Sequence, residues 1–551
     1  MRRPRLRRSI VLPLAGVVVL ALAAVAVACG GGTSSPAIPT SPGEASPTAA
    51  PITGGEALRL PGPDPITLDP ALASDAGSAQ YIVEIFSGLV TLDRDLQVVP
   101  DIAESIDVSP DGTVYTFKLR TDALFHNLSR RVTADDFKYS LERALRPETQ
   151  STTALLYLGD IVGAREFARD RADEVTGIKV IDPNTLQITI DAPKPYFLAK
   201  MTYPVAYVVD RNQVENNPRG WTRRPIGTGP YMLREWRLGE RIRLEAFDRY
   251  YQGPPSVDQA VFLLAGGSPL TMYENNEIDI TGIGLNDIER IRDPREPLNR
   301  EFISVDDLDI WYVGFNATEP PFDDVKVRQA FTHAIDKDLI VEVVLLDAVR
   351  KADGVLPPDM PGYNPNLLGL EFDADLARQL LGESEYGGPE GLPPIVLTAT
   401  GQGATIGPSS EAIIAMWEDN LGVRVEIQQV EFATFLQQLR RGDFQMFQLG
   451  WIADYVDPED FLDIKFHSQS GDNDSRYSNP EVDRLLEQAR TEQDTEQRLA
   501  LYQEAEQLIV NDAAWIPLYH TRSNVLIKPW VKGYTVAPMV VPILRYVRIE
   551  R

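Results

Sequence analysis

The stretch 394–456 restricts the fold more than any other part of this chain. Residues 395–399 read as a strand, and 409–421 as a helix with Ile413, Trp417 and Leu421 on one face and Gly422 as its stop. Val423, Val425 and Ile427 alternate as a second strand, 433–441 is a short helix, and 444–449 a third strand. Strand–helix–strand–helix–strand predicts a largely parallel sheet with right-handed crossovers. Ligands of such sheets sit beyond the carboxyl ends of the strands. The segment leaving the third strand, Gly450-Trp451-Ile452-Ala453-Asp454-Tyr455, is therefore the first place to expect a ligand.

Elsewhere strand and helix signals mix, with no short repeat. Tyr115, Phe117 and Leu119 alternate with polar neighbours, as do Leu186, Ile188 and Ile190, and Ile242 with Leu244. Thr133 and Asp136 resemble a capping box ahead of Phe137, Leu141 and Leu145, which predicts a helix. Asn479-Pro480 caps another helix with Val482, Leu485, Leu486 and Ala489 on its apolar stripe, and a further one is expected near 497–510. A length of 551 residues predicts two or three domains. The 80 acidic against 53 basic residues leave a formal charge of -27, which repels phosphate backbones and argues against a nucleic-acid partner. A single cysteine excludes an intrachain disulfide, a multi-Cys zinc site and an iron–sulfur cluster.

That cysteine, Cys29, ends an N-terminal address. Five arginines precede an apolar run from Ile10 to Ala28, the pattern of a secretory signal peptide over 1–28. The run is about 19 residues, so a retained membrane anchor is the alternative. Ala26-Val27-Ala28-Cys29-Gly30 resembles the lipobox of bacterial lipoproteins, in which the cysteine is lipidated, although Ala26 stands where that pattern usually has Leu. Residues 29–55, rich in Gly, Ser, Pro and Thr, read as a flexible tether. The chain is thus expected outside the cytoplasmic membrane, held to its outer face through lipid on Cys29.

Catalytic signals are missing. There is no nucleophile elbow, zinc-protease helix, Walker A loop or dinucleotide fingerprint; Gly227-Thr228-Gly229 and Gly401-Gln402-Gly403 read as turns. His126, His333, His467 and His520 are far apart and read as polar or packing residues. A carboxylate pair of the glycosidase kind stays open, because acids are so plentiful. Asp472 and Asp474 read as solvated surface, and Glu459 and Asp460 as the acidic first turn of a helix after Pro458. Asp454 is left unexplained. No metal and no cofactor is expected.

The blocks Leu68-Asp69-Pro70-Ala71, Ile85-Phe86-Ser87-Gly88-Leu89, Ser109-Pro110-Asp111-Gly112-Thr113-Val114-Tyr115-Thr116-Phe117-Lys118-Leu119-Arg120 and Thr133-Ala134-Asp135-Asp136-Phe137 resemble the extracellular solute-binding proteins of peptide ABC importers. So do Gly227-Thr228-Gly229-Pro230-Tyr231, Val325-Lys326-Val327-Arg328-Gln329-Ala330, Gly450-Trp451-Ile452-Ala453-Asp454-Tyr455 and Lys528-Pro529-Trp530-Val531-Lys532-Gly533-Tyr534. The resemblance spans about 58–551 and is nearest to the oligopeptide- and dipeptide-binding lipoproteins. It implies an α/β fold of the type II periplasmic-binding-protein kind, with two hinged lobes. Lobe I would hold 56–99, 222–310 and 521–551, with 100–221 as its extra subdomain, and lobe II 311–520.

The resemblance also implies a site. Asp454 would receive a peptide's α-ammonium, Trp451 would wall a side-chain pocket, and the backbones of Gly450 and Ile452, with Gly88 and Leu89 from the other lobe, would pair with the peptide main chain. In the enteric oligopeptide binder an Arg three residues before the motif Trp helps receive the ligand's C-terminus; here that position is Gln448, with Arg440 and Arg441 nearby. Implied partners are a short peptide and the permease subunits of an ABC importer, with the chain itself a monomer and not an enzyme. Relatives on the same scaffold carry nickel chelates, haem, glutathione or oligosaccharides, so another solute is the alternative, and a secreted hydrolase or a binder of unfolded chains the more distant ones.

Overall fold

In a computed structural model the described residues are 57–128, 130–401 and 406–551. The expected signal peptide, the tether, Cys29 and the Gln402-Gly403 turn lie outside them. The strand–helix series is realised as Ile395–Thr400, Pro408–Leu421, Val425–Val430, Phe432–Arg441 and Met446–Ile452. Gly422 and Gly442 end both helices in the left-handed region, at φ 70° and 77°. Ile395–Thr400 runs parallel to both of the other strands.

The sheet as a whole is mixed, not largely parallel as expected. Met446–Ile452 pairs antiparallel with Asp309–Phe315, which pairs antiparallel with Trp515–Ile527. These two strands arrive from distant stretches, and the local alternation around 394–456 carries no information about their direction. Trp515–Ile527 is 13 residues long and continues beyond that pairing to meet Ile280–Gly282 and Phe302–Asp306. The expected lobe borders at 310/311 and 520/521 both fall inside continuous strands.

Ala57–Pro61, Gln259–Leu263, Arg241–Ala246 and Tyr231–Arg237 form a four-stranded sheet, and Ala103–Val108, Val114–Leu119, Thr185–Thr189 and Ile178–Asp182 another. The alternating Tyr115, Phe117 and Leu119 are buried, as are Leu186 and Ile188 on the neighbouring strand. Asp136 accepts the Thr133 N–H at 2.9 Å, which starts the helix Ala134–Leu145. The Gly227–Gly229 turn packs on the end of helix Ala76–Ile85: Thr228 and Gly229 both donate to the Ile85 carbonyl, and a Cβ on Gly229 would stand 2.5 Å from the Glu84 oxygen. Glycine is needed there for backbone approach, not for phosphate.

One hydrophobic core gathers residues from 71 to 208 and also takes in Tyr455 and Ile464 from far along the chain. That insertion holds helix Glu459–Phe466 against the segment 154–200. Among the described residues no helix is long and apolar enough to cross a membrane.

Candidate functional site

Strand Met446–Ile452 is asymmetric. On one side it pairs with Asp309–Phe315 along its whole length; on the other, Ile395–Thr400 covers only Met446 and Phe447. The Ala453 N–H donates to the Leu308 carbonyl at 2.7 Å, so by alternation Trp451 and Leu449 also turn their backbone groups toward that partner. Gly450 and Ile452 turn theirs to the uncovered edge, where no strand pairs with them among the described residues. Contrary to the expectation that the motif follows the strand, its first three residues belong to it.

This edge borders a cavity of about 430 Å3, a size in the range of small-ligand sites. Gly450, Trp451, Ile452 and Asp454 line it, opposite Tyr157, Tyr203 and Tyr207. Tyr157 and Tyr203 stack at 4.0 Å, and Tyr157 donates its hydroxyl hydrogen to Asp454 Oδ2. The Asp454 N–H donates to Asp460 Oδ2 at 2.9 Å. Burial pushes the Asp454 carboxyl up to about 7; the Tyr157 hydrogen bond opposes this, the Asp472 charge adds to it and Lys465 opposes it. Asp460 is raised as well, by burial and then by the Asp454 charge. An acid crowded in this way gains most from an incoming cation.

Trp451 has two roles. Its ring lines the cavity, and Lys465 Nζ sits 4.4 Å from the ring centroid. Lys465 is buried and bonds Asp474 at 3.0 Å and Asp472 at 3.4 Å. Asp472 and Asp474 therefore are not the solvated surface pair expected. The turn 470–474 brings both against the cavity lining, where they share one cation, Lys465, whose pairing no local sequence pattern signals. Glu459 and Asp460 do open a helix, but both are buried: Glu459 pairs with Lys200 at 2.7 Å, and Asp460 receives the Asp454 N–H.

The remaining expected site residues lie elsewhere. Gly88 and Leu89 do not line the cavity. Their carbonyls accept from Ile102, and from Asp101 and Ala103, which leaves those acceptors engaged within the chain. Gly88 instead makes room for Tyr207: a Cβ there would meet the ring at 3.0 Å. Gln448 is buried, and its Oε1 accepts from Ser410 Oγ at 2.5 Å, on the sheet face away from the cavity. Arg440 lines the cavity, whereas Arg441 is exposed and pairs with Asp443 at 3.2 Å. Tyr157, Tyr203 and Tyr207 carried no pattern of their own in the sequence. His126 and His520 are packing residues, each held near 4 by burial and bonded to a backbone carbonyl, of Gly229 and Asp309 respectively.

Residues 97–473 match the profile described as bacterial extracellular solute-binding proteins, family 5 Middle. The chain is 33% identical over 494 residues to the periplasmic oligopeptide-binding protein OppA of Escherichia coli (strain K12), covering 87% of this chain and 89% of that one. It is 28% identical over 508 residues to heme-binding protein A of Haemophilus influenzae, covering 86% and 88%. The solved structure of the Escherichia coli murein tripeptide binding protein MppA superposes with a TM-score of 0.82 at 28% identity, covering 90% of this chain and 99% of that one. The fold is accordingly the two-lobed α/β architecture of those binding proteins. With the profile spanning more than half its length and a relative 33% identical over most of both chains, the chain belongs to the bacterial extracellular solute-binding proteins of family 5.

Proposed function

We propose that this protein is the substrate-binding lipoprotein of an ABC importer, that it captures short peptides outside the cytoplasmic membrane, and that it transforms nothing. The observation that carries the reading is Asp454 at the end of an uncovered strand edge. Gly450 and Ile452 offer main-chain hydrogen bonds to any extended peptide, and the carboxylate offers a partner to its free amine. A buried ammonium without such a partner costs several kcal/mol, on the order of the whole affinity of a micromolar ligand. Main-chain pairing is indifferent to side chains, which suits a receptor of broad range. Gly88 acts only indirectly, by leaving room for the Tyr207 ring that lines the cavity.

In this reading the lobes are 56–99 with 222–310 and 521–551, carrying 100–221, and 311–520. Strands Asp309–Phe315 and Trp515–Ile527 are the hinge. The chain acts as a monomer, is exported by residues 1–28, is anchored through Cys29 and hands its ligand to the permease. A second reading keeps the scaffold and changes the solute: the aromatic wall of Tyr157, Tyr203, Tyr207 and Trp451 suits a flat apolar ligand, and heme-binding protein A is among the relatives. Calorimetry separates the two. Free-amine tri- and tetrapeptides are expected to bind and their N-acetylated forms to lose at least about tenfold in affinity. Equal affinity of the acetylated forms removes Asp454 as the anchor, and binding of haem in place of peptides establishes the second reading.

A further inference from the structure

A second cavity, of about 610 Å3, lies between the segments 152–200 and 459–490 and shares only Leu156 and Asp472 with the lining of the first. Its wall is mostly charged. Five carboxylates line it, and each already has a cation. Lys194 lies 2.5 Å from Asp160 and 2.8 Å from Asp191, and Lys200 2.7 Å from Glu459. Arg490 lies 2.7 Å from Asp463, and Lys465 3.4 Å from Asp472. Arg165 and Arg169 are left over.

These two line the cavity and are exposed. They stand four residues apart, on helix Ala164–Phe167 and just past its end, a spacing that sets side chains on one side. Among the described residues neither guanidinium has a carboxylate within 4 Å or a hydrogen bond to the chain. Tyr196 adds a third free donor. It lines the same cavity, is 2% exposed, and its hydroxyl has no hydrogen-bond partner among the described residues. Burial raises its pKa well above the ordinary value and the Glu459 and Asp160 charges add to this, so the phenol stays protonated. Buried polar groups are nearly always paired, so a donor left over at a cavity wall calls for an acceptor inside it.

We propose that this cavity is a second binding site, which takes a phosphate-bearing small solute through Arg165, Arg169 and Tyr196. A carboxylate offers two oxygens in one plane and a single charge. A phosphate monoester offers three strong acceptor oxygens and nearly two charges, which match two guanidiniums and a phenol. Two sources carry the group, inorganic phosphate and an organic monoester, and the experiment distinguishes them. Because the wall comes from both segments, the occupant ties 152–200 to 459–490, as the Lys200–Glu459 ion pair already does. It therefore also stabilises the folded chain.

The test is calorimetry and thermal melting of the full chain at constant ionic strength, with sodium phosphate, glycerol 3-phosphate and, as a charge control, succinate. At least one phosphate probe is expected to bind saturably with a Kd below about 1 mM and to raise the melting temperature, succinate binding about tenfold more weakly. Tighter binding of glycerol 3-phosphate identifies the monoester as the source; equal or weaker binding identifies the free ion. The double variant Arg165→Gln with Arg169→Gln is expected to lose about tenfold or more in affinity, and Tyr196→Phe about threefold. Without phosphate the double variant is expected to melt with the wild type, since both side chains are exposed. The proposal is overturned if neither phosphate probe binds below about 1 mM, if succinate binds as tightly, or if the double variant binds as the wild type does. Should Tyr196→Phe fail to fold, the wild-type panel and the double variant decide by the same criteria.

Discussion

Tyr157 donates its phenolic hydrogen to the carboxylate of Asp454 across 297 positions of sequence. The bond joins the segment 154–200 to the strand end that borders the cavity, and the stacked Tyr203 ring backs it. Burial and the Asp454 charge both raise the Tyr157 pKa well above its ordinary value, so the phenol stays a donor throughout the physiological range. The acid is thereby aimed before any ligand arrives.

Removing the charge tests the anchor. Asp454→Ala is expected to weaken binding of free-amine peptides by about 2–5 kcal/mol, because a buried ammonium is left without its partner. Tyr157→Phe keeps the carboxyl but removes the one hydrogen bond that aims it and favours its charged form, for which about 0.5–1.5 kcal/mol is expected. Calorimetry on both variants with one tetrapeptide checks the order; a larger loss for Tyr157→Phe would contradict it.

Binding should depend on pH with a definite sign. Asp454 titrates at about 7 in the free protein, and an ammonium beside it favours the ionised form, so binding expels a proton when the pH is below that value. Affinity for free-amine peptides is expected to fall as pH drops from 7.5 to 5.5, approaching about tenfold per unit, and to fall again as the ligand amine deprotonates above about 8. Asp454→Asn flattens the acid limb. Titrations in two buffers of different ionisation heat count the proton.

Gly450 is constrained by packing as well as by any ligand. A Cβ there would stand 2.9 Å from the Trp311 indole, which stacks on Tyr519. Gly450→Val is expected to push that ring aside and destabilise the fold by about 1–3 kcal/mol. Denaturant unfolding measures the loss, and peptide titration of the surviving native fraction reports whether the strand edge has moved.

Lys200 is buried between Glu459 at 2.7 Å and Asp160 at 3.4 Å. It ties the segment before residue 201 to helix Glu459–Phe466. Lys200→Met strands Glu459 with only the Tyr455 hydroxyl as partner, and a stability loss of about 3–5 kcal/mol is expected. Denaturant midpoints measure it; adding Glu459→Gln should recover much of the loss, since the uncompensated charge is then gone.

Stability of the unliganded chain should itself fall as the solution becomes less acid. Glu84, Asp309 and Glu506 are each pushed up to about 7, chiefly by burial. Between their ordinary values near 4 and the raised ones the native state binds more protons than the unfolded state, so their contribution to stability is full below that window and is lost as pH rises through it. Glu506 accepts the N–H groups of Val355 and Leu356 at 2.7 and 2.8 Å, which Gln can still do through its carbonyl. Glu506→Gln is expected to reduce the drop in melting temperature between pH 5 and 7.5; an unchanged slope would show that Glu506 is not a contributor.

Much of this protein could be read locally. The order of strands and helices around 394–456, the glycine stop at 422, the Asp136 cap and the Asn479 cap all follow from periodicity and terminal hydrogen bonding within a few residues, whereas the third strand, read as ending at 449, runs on to Ile452. The motif holding Trp451 and Asp454 was visible for the same reason, as one continuous stretch. What the residues around 394–456 left open was the antiparallel entry of Asp309–Phe315 and Trp515–Ile527, because strand direction is decided between segments hundreds of residues apart. The tyrosines facing Asp454, the pairing of half-buried Asp472 and buried Asp474 with Lys465 and the turning of Gln448 toward Ser410 were likewise settled only by packing. A carboxylate in sequence is an acid of ordinary strength; its surroundings in three dimensions decide whether water, a lysine or a ligand completes it.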